Sequence, residues 1–406
     1  MNTEHELVFA LSYPVQVSVA GMTTAFMVLL ALHQCFTAAY HFPLDPLNFV
    51  LQLVSSIVYV VYHGATLGVQ LRELDEFSHR WPHMFPYMAY RLPRYGHWTT
   101  VQMVFFILAE ALASLLAHAA HIQFLMLLFP SKLERRLIFW LLGPFVLIET
   151  GLFFVDLVPP DHVKVLDLSD AMMNICDSSL ALLYMSGLLV WGGLVNWRRA
   201  WRADGSTAAF GVAALLVALC KTVVSFVHIG YDRVYWLRLM TATFKNWQNW
   251  LGFWWWVSAG MGIGEYEDRL RATEKRRRTK QRRASLAAGG GGEDVEMRSM
   301  HSATQPPEHA SHSNSAPWTV RLLERLVSRA PRLIRRRFEY LRRSHNRAVS
   351  DQAMKQAALY ARVVVPRSLS FLTRSNVMHR MLLKDRTVYE LSLIHIGRCR
   401  RISRCR

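Results

Sequence analysis

Long apolar blocks, not alternation at a period of two, organise the first two thirds of this chain. Mostly apolar runs cover roughly 15–40, 47–70, 98–129, 136–157, 172–196, 208–230 and 240–264. A helix crossing a bilayer needs about 20 such residues. The hydrocarbon core offers no water to a bare backbone, so segments of this length read as helices. The short alternating strands of an outer-membrane barrel are absent from the sequence. The pattern predicts an all-α polytopic membrane protein, a bundle of about seven transmembrane helices within residues 1–266. It does not distinguish the plasma membrane from an endomembrane.

The pattern changes after residue 266. Residues 267–316 form a basic juxtamembrane segment and then a stretch rich in Gly, Ala, Ser and His, including Gly289 to Gly292, the composition of a disordered linker. Residues 317–390 predict a basic amphipathic helical tail. Leu322, Leu326, Ala330, Leu333, Ile334, Phe338 and Leu341 recur at spacings of three and four, with Arg321, Arg325, Arg329, Arg332, Arg336 and Arg343 among them. Such a helix lies on a membrane or fits a calmodulin-like groove, and Pro331 should break it. Leu391 to Arg401 reads LSLIHIGRCRR, which resembles the translation of a transposase adapter used in library preparation. Residues 391–406 are therefore expected to be an adapter artefact.

Charge sets the expected orientation. The net charge of +18 belongs to the tail: residues 1–266 carry 15 Lys and Arg against 17 Asp and Glu, and residues 267–406 carry 32 against 12. Lys and Arg in short loops mark the cytoplasmic side. Lys132, Arg135 and Arg136 follow the third run, and Arg198, Arg199 and Arg202 follow the fifth. The seventh runs into Lys275, Arg276, Arg277, Arg278, Lys280, Arg282 and Arg283. The segment after the fourth run is acidic, with Asp161, Asp167 and Asp170. These loops predict the N-terminus outside and the C-terminus inside. Two loops weaken the case: Leu71–His97 would be outside yet holds Arg72, Arg80, Arg91 and Arg94, and the sixth loop is expected to carry Arg233 and Arg238. The first of these, rich in proline and aromatics, suits a half-embedded interfacial segment.

The juxtamembrane cluster predicts contact with anionic membrane lipids on the cytoplasmic leaflet. Nucleic acid is not expected as a partner, because no recognition-domain pattern is present. Arg282-Arg283-Ala284-Ser285 resembles a basophilic kinase site, which makes Ser285 a candidate phosphorylation site beside that cluster. The N-terminus has no basic stretch before its first apolar run, so that run is expected to remain as a span. The five cysteines show no disulfide framework or metal spacing, and no metal or other cofactor is expected.

Ionisable groups inside spans are costly and face a bundle interior or a wet cavity. Glu110, Ser114, His118 and His121 fall on one stripe of the third helix. Glu149 and Asp156 nearly eclipse each other on the fourth. Asp170, Asn174, Asp177 and Ser178 share a face of the fifth, and Lys221, Ser225 and His228 one of the sixth. Lys245, Gln248 and Asn249 open the seventh. In the expected orientation Glu110, Glu149, Asp156, Asp177, His228 and Lys245 lie in the outer half, with Lys221 near the middle. These seven are the candidate ligand or ion cavity, and Lys221 should pair with Asp177 or Glu149. The alternative is structural pairing that fixes helix register.

His63 and His228 toward the outside, with His33, His118 and His121 toward the inside, leave open two facing histidine pairs for b-type haem. Hydrogen-bonded packing is the plainer reading of these histidines. Trp247, Trp250 and Trp254 share a face of the seventh helix, as packing or as the wall of an aromatic pocket.

Seven spans in this orientation suggest a receptor by architecture alone. Rhodopsin-like signatures are missing: the third run ends in Phe129-Pro130-Ser131-Lys132, and the last has no Asn-Pro-x-x-Tyr. The first expectation is a non-enzymatic, receptor-like or sensor protein with an outward polar cavity, an unidentified ligand and a tail that meets a cytoplasmic signalling protein. The second is an ion- or proton-coupled transporter or channel using Glu110, Glu149, Asp177 and Lys221. The third is a haem-bearing membrane oxidoreductase.

Overall fold

The computed structural model describes residues 12–81, 92, 98–159, 161–202, 207–231, 234–261, a few positions between 273 and 285, and 332–369. The described elements are all helices: α1 (Tyr13–His41), α2 (Pro46–His79), α3 (Thr100–Leu128), α4 (Lys132–Leu152), α5 (Val163–Val190), a short α6 (Trp197–Ala200), α7 (Thr207–Gly230), α8 (Tyr235–Ser258) and α9 (Arg332–Leu369). A 3-10 stretch, Phe153–Leu157, extends α4, and a π turn, Trp191–Val195, extends α5. α1 to α5 and α7 are each long and apolar enough to cross a membrane. The chain is a multi-pass membrane protein of the all-α class.

The helix starts are encoded locally. Asp45 caps α2 by accepting from the Asn48 amide at 3.0 Å, with Pro46 in the first turn. Thr99 and Gln102 form a reciprocal capping box at the start of α3, with bonds of 3.0 and 3.3 Å. At α4, the Glu134 carboxylate reaches back to the Ser131 amide at 3.1 Å. Gly260, at φ +69°, follows α8 in the left-handed conformation that commonly ends a helix.

Sequence neighbours pack in order, α1 on α2 and so on through α5, α7 and α8. α8 closes the set by packing back on α1, α2 and α3. The connections after α1, α3 and α5 gather with the end of α8 at one end of the bundle, here the base. Those after α2, α4 and α7 form the mouth.

α8 departs from the sequence expectation. It begins at Tyr235 instead of near 240, and it is not among the six apolar helices. Arg238, Lys245, Asn246, Gln248 and Asn249 lower its hydropathy, yet all but Arg238 are buried to below 9% exposure against the other helices. Its apolar side is held by close approach. The Trp255 ring packs so tightly on Gly192 and Gly211 that a Cβ at Gly211 would sit 2.7 Å from it, and its Nε1 donates to the Ala200 carbonyl at 2.9 Å. The tryptophans Trp250, Trp255 and Trp256 are therefore buried packing, and the exposed helix faces carry the apolar side chains that suit lipid.

Other boundaries move for similar reasons. α2 continues to His79, so Arg72 lies on a helix; residues 82–91 and 93–97, most of the expected interfacial segment, lie outside the described residues. Arg238, expected in a loop, is in the first turn of α8, and Asp170, counted with a loop, is inside α5. Of the basic cluster, Arg276, Arg277 and Arg278 are exposed on helical backbone, whereas Lys275, Lys280, Arg282 and Arg283 lie outside the described residues. Ser285 is exposed. The linker, the first part of the expected tail helix at 317–331 and residues 391–406 also fall outside.

α9 is described from Arg332 onward; Pro331, where a break was expected, lies outside the described residues. α9 docks on the base of this same chain through His345, Val349, Gln352, Ala353, Gln356 and Ala357, a different set from the leucines of the sequence pattern.

Candidate functional site

Five helices bring ionisable side chains to the inside of the bundle, in layers that descend from the mouth. In the first layer Arg238 of α8 bridges Glu110 of α3 and Asp170 of α5, at 3.4 and 3.5 Å. Asp156, in the 3-10 stretch, is close enough to interact electrostatically with both Glu110 and Arg238. The hydroxyls of Tyr62 and Tyr235 meet at 2.8 Å beside this layer. The α3 stripe supplies Glu110 because residues four apart stack on one helix face. The π turn of α5 comes only after the site, so Asp170, Asn174 and Asp177 keep regular helical register.

The second layer is an interlocked cluster. Lys221 of α7 donates to Asp177 of α5 at 2.6 Å, and the Ser225 hydroxyl, one turn away, donates to the same carboxylate oxygen at 3.0 Å. Lys245 of α8 lies 3.1 Å from the other oxygen of Asp177 and 3.6 Å from Glu149 of α4. His118 of α3 is 2.7 Å from the Lys245 ammonium and 2.9 Å from Glu149. Ser114 donates to Glu149 at 2.9 Å. The Lys221 side chain is 1% exposed and that of Asp177 14%. Such burial is tolerable because every charge has a close opposite charge. Below this cluster the His121 Nε2 lies 2.8 Å from the Lys245 carbonyl and 3.3 Å from the Gln248 amide nitrogen. The Tyr184 ring stacks at 4.3 Å from His121, and Phe124, Phe253 and Trp256 fill the rest of the way to the base.

Between the first two layers lies a cavity with about 40 Å³ available to the centres of water-sized molecules. About three waters fill that space. Glu110, Asp177, Arg238, Lys245 and His228 line it, and the His228 Nε2 has no hydrogen-bond partner among the described residues. The seven residues singled out in the sequence thus converge: Glu149, Asp177, Lys221 and Lys245 in the cluster, Glu110 and Asp156 around Arg238, and His228 on the cavity wall.

Three positions completing the site were not singled out. Arg238 had been assigned to a loop; Asp170 and His118 had been placed on the polar faces of their helices but left out of the candidate cavity, and His118 had also been weighed for haem. Its Nε2 is held between Lys245 and Glu149, while His33 packs on Trp250 and Trp254 and His63 on Tyr59 and Tyr62.

His118, Glu149 and Asp177 offer donor atoms within 4.8 Å of one another, the spacing of a metal site. The Lys245 ammonium already sits among those atoms and supplies the cation that this donor set neutralises.

Among the described residues of the two layers, Glu110, Glu149, Asp156, Asp170 and Asp177 share the bundle interior with the cationic Lys221, Arg238 and Lys245. No family model, curated protein or solved structure matches this chain.

Proposed function

We propose that this chain is a non-enzymatic membrane protein that moves or senses protons or small inorganic cations through its bundle, in the manner of a transporter or channel. α8 acts as a seventh span in this reading, and the base, with the basic tail, faces the cytosol. The convergence of Glu110, Glu149, Asp177, Arg238 and Lys245 on a water-sized cavity carries the proposal. Ligand pockets for organic molecules measure about 300–1,000 Å³, so this cavity suits water and ions better than a receptor's organic ligand. Lys132, Arg135, Arg198 and Arg199 all lie at the base, which favours the cytosolic assignment. Exposed Arg276, Arg277 and Arg278 suit contact with anionic lipid beneath the last span.

The test is proton or cation flux in proteoliposomes under an imposed pH gradient and membrane potential, followed with entrapped ion-sensitive dyes. Glu149→Gln and Asp177→Asn should each lower the flux at least tenfold while the protein remains folded. Wild-type vesicles indistinguishable from empty ones, for protons, Na⁺ and K⁺ alike, would refute the reading.

A further inference from the structure

The cavity between the two layers is lined by fixed cations as well as carboxylates. Arg238 and Lys245 share its wall with Glu110, Glu149 and Asp177. Each of these carboxylates already has a cationic neighbour. Arg238 lies 3.4 Å from Glu110, Lys245 3.6 Å from Glu149 and 3.1 Å from Asp177, and Lys221 2.6 Å from Asp177. A Na⁺ or K⁺ ion gives up its water only to several oxygens at once. Here it would compete for those oxygens with ammonium and guanidinium groups tethered to the helices, and it would sit against their charge. A proton needs only a single lone pair.

His228 of α7, 4% exposed, lies on the same wall, and its Nε2 has no hydrogen-bond partner among the described residues. Glu149 and Asp177 also each have an oxygen without a hydrogen bond, but those oxygens sit 2.9 Å from His118 and 3.1 Å from Lys245. Asp170 and Asp177 of α5, Arg238 of α8 and Lys221 of α7 itself act electrostatically on the His228 ring. Glu110 of α3, Glu149 of α4, Lys245 of α8 and the phenols Tyr59 and Tyr62 of α2 stand on the remaining walls. We infer that the species carried is the proton and that His228 relays it across the cavity. This rests on the ion-path reading above and narrows it. With the ring hydrogen on Nδ1, the Nε2 lone pair takes a proton from a hydronium ion in the cavity, leaving water and an imidazolium. The new Nε2–H bond then breaks toward a second water, which becomes the hydronium ion, and the ring is neutral again. The two aspartates of α5 stabilise the imidazolium between the two transfers.

The test uses the full chain in proteoliposomes, with gradients of H⁺, Na⁺ and K⁺ imposed one at a time. The parent should pass H⁺ well above empty vesicles, and Na⁺ and K⁺ at the rate of empty vesicles. Na⁺ or K⁺ flux comparable to that of H⁺ would overturn the proton assignment and leave the ion path standing. His228→Gln keeps a polar side chain of similar size without a titratable nitrogen. It should lower H⁺ flux about tenfold or more while its tryptophan fluorescence remains that of the folded parent. Unchanged H⁺ flux in that variant would overturn the relay. Voltage-driven H⁺ flux of the parent, followed from about pH 4 to pH 8, should show an inflection that the residual flux of His228→Gln lacks. An inflection kept by the variant would place the titrating group elsewhere and overturn the role of His228. Absence of flux for all three ions in the parent would bring down the ion path and the relay with it.

Discussion

Lys221→Met isolates the contribution of the most buried cation. The Lys221–Asp177 contact at 2.6 Å corresponds to an attraction of about 6 kcal/mol at an effective dielectric constant near 20. Desolvation of the two ions offsets much of that. The substitution restores the lysine's desolvation energy but leaves Asp177 buried. Asp177 keeps Lys245 at 3.1 Å, a partner it shares with Glu149, so it is weakened rather than stranded. The expected loss is about 3 kcal/mol, the lower edge of what breaking a buried pair costs. In a domain of this size that corresponds to a fall in Tm of about 6–12 °C. Tryptophan fluorescence of the detergent-solubilised protein would follow it, since Trp250, Trp255 and Trp256 are buried around α8. Lys221→Met with Asp177→Asn should recover about half of the loss, because no unpaired charge then remains at that contact. A Lys221→Met protein that melts with the parent would show that the ammonium reaches water and that the pair does not hold α5 to α7.

Asp45, in the turn between α1 and α2, has its carboxyl pushed above the ordinary range by burial, against the opposing Asn48 amide, the Gln356 side chain and the Arg135 charge. The folded protein therefore holds this proton more tightly than the unfolded chain does. Its contribution is present below the ordinary pKa of 3.8 and is lost as pH rises through the folded value. Asp45→Asn, which keeps a capping side chain, should flatten the melting profile across pH 4 to 7 by about 1 °C or more; an unchanged slope would contradict the assignment. The orientation has its own check: Lys132→Cys and Arg202→Cys, both exposed at the base, should react with an impermeant thiol reagent only from the cytosolic side, and labelling from outside intact cells would reverse the topology.

The helices were legible wherever one physical requirement dominated. Six apolar runs were long enough that the bilayer alone dictated helix. The Glu110–His121 stripe was legible because helical spacing places it on one face whatever packs against it. Arg238 was not, because a hydropathy boundary puts an arginine outside the helix, and only Glu110 and Asp170 from two other helices make its inside position affordable. The docking face of α9 was hidden for a different reason. Its alanines and glutamines resemble a polar helix surface, while the conspicuous leucines upstream drew the amphipathic reading. Whether a glutamine faces a partner or water depends on what stands opposite, and periodicity within one segment carries no information about that.

The polarity of α8 has a consequence for how the protein is made. A lysine or arginine at the centre of a helix disfavours its entry into lipid by about 2.5–3.5 kcal/mol, and α8 carries Lys245 near its centre, Arg238 in its first turn and three amide side chains. Judged one segment at a time during synthesis, α8 is a poor candidate for integration. It is also the last of the bundle helices to leave the ribosome, yet α1, α2, α3 and α7 all pack on it. Until it arrives, the nascent bundle has an open seam in which Glu110, Glu149 and Asp177 lack their α8 partners. On the seven-span reading proposed above, α8 enters against helices already in place, as the second arm of a hairpin with α7, whose mean hydropathy of 2.2 is the highest of the six apolar helices. Biogenesis of this protein should be sensitive to the length and apolarity of α7 in a way that the finished structure, once closed, no longer reveals.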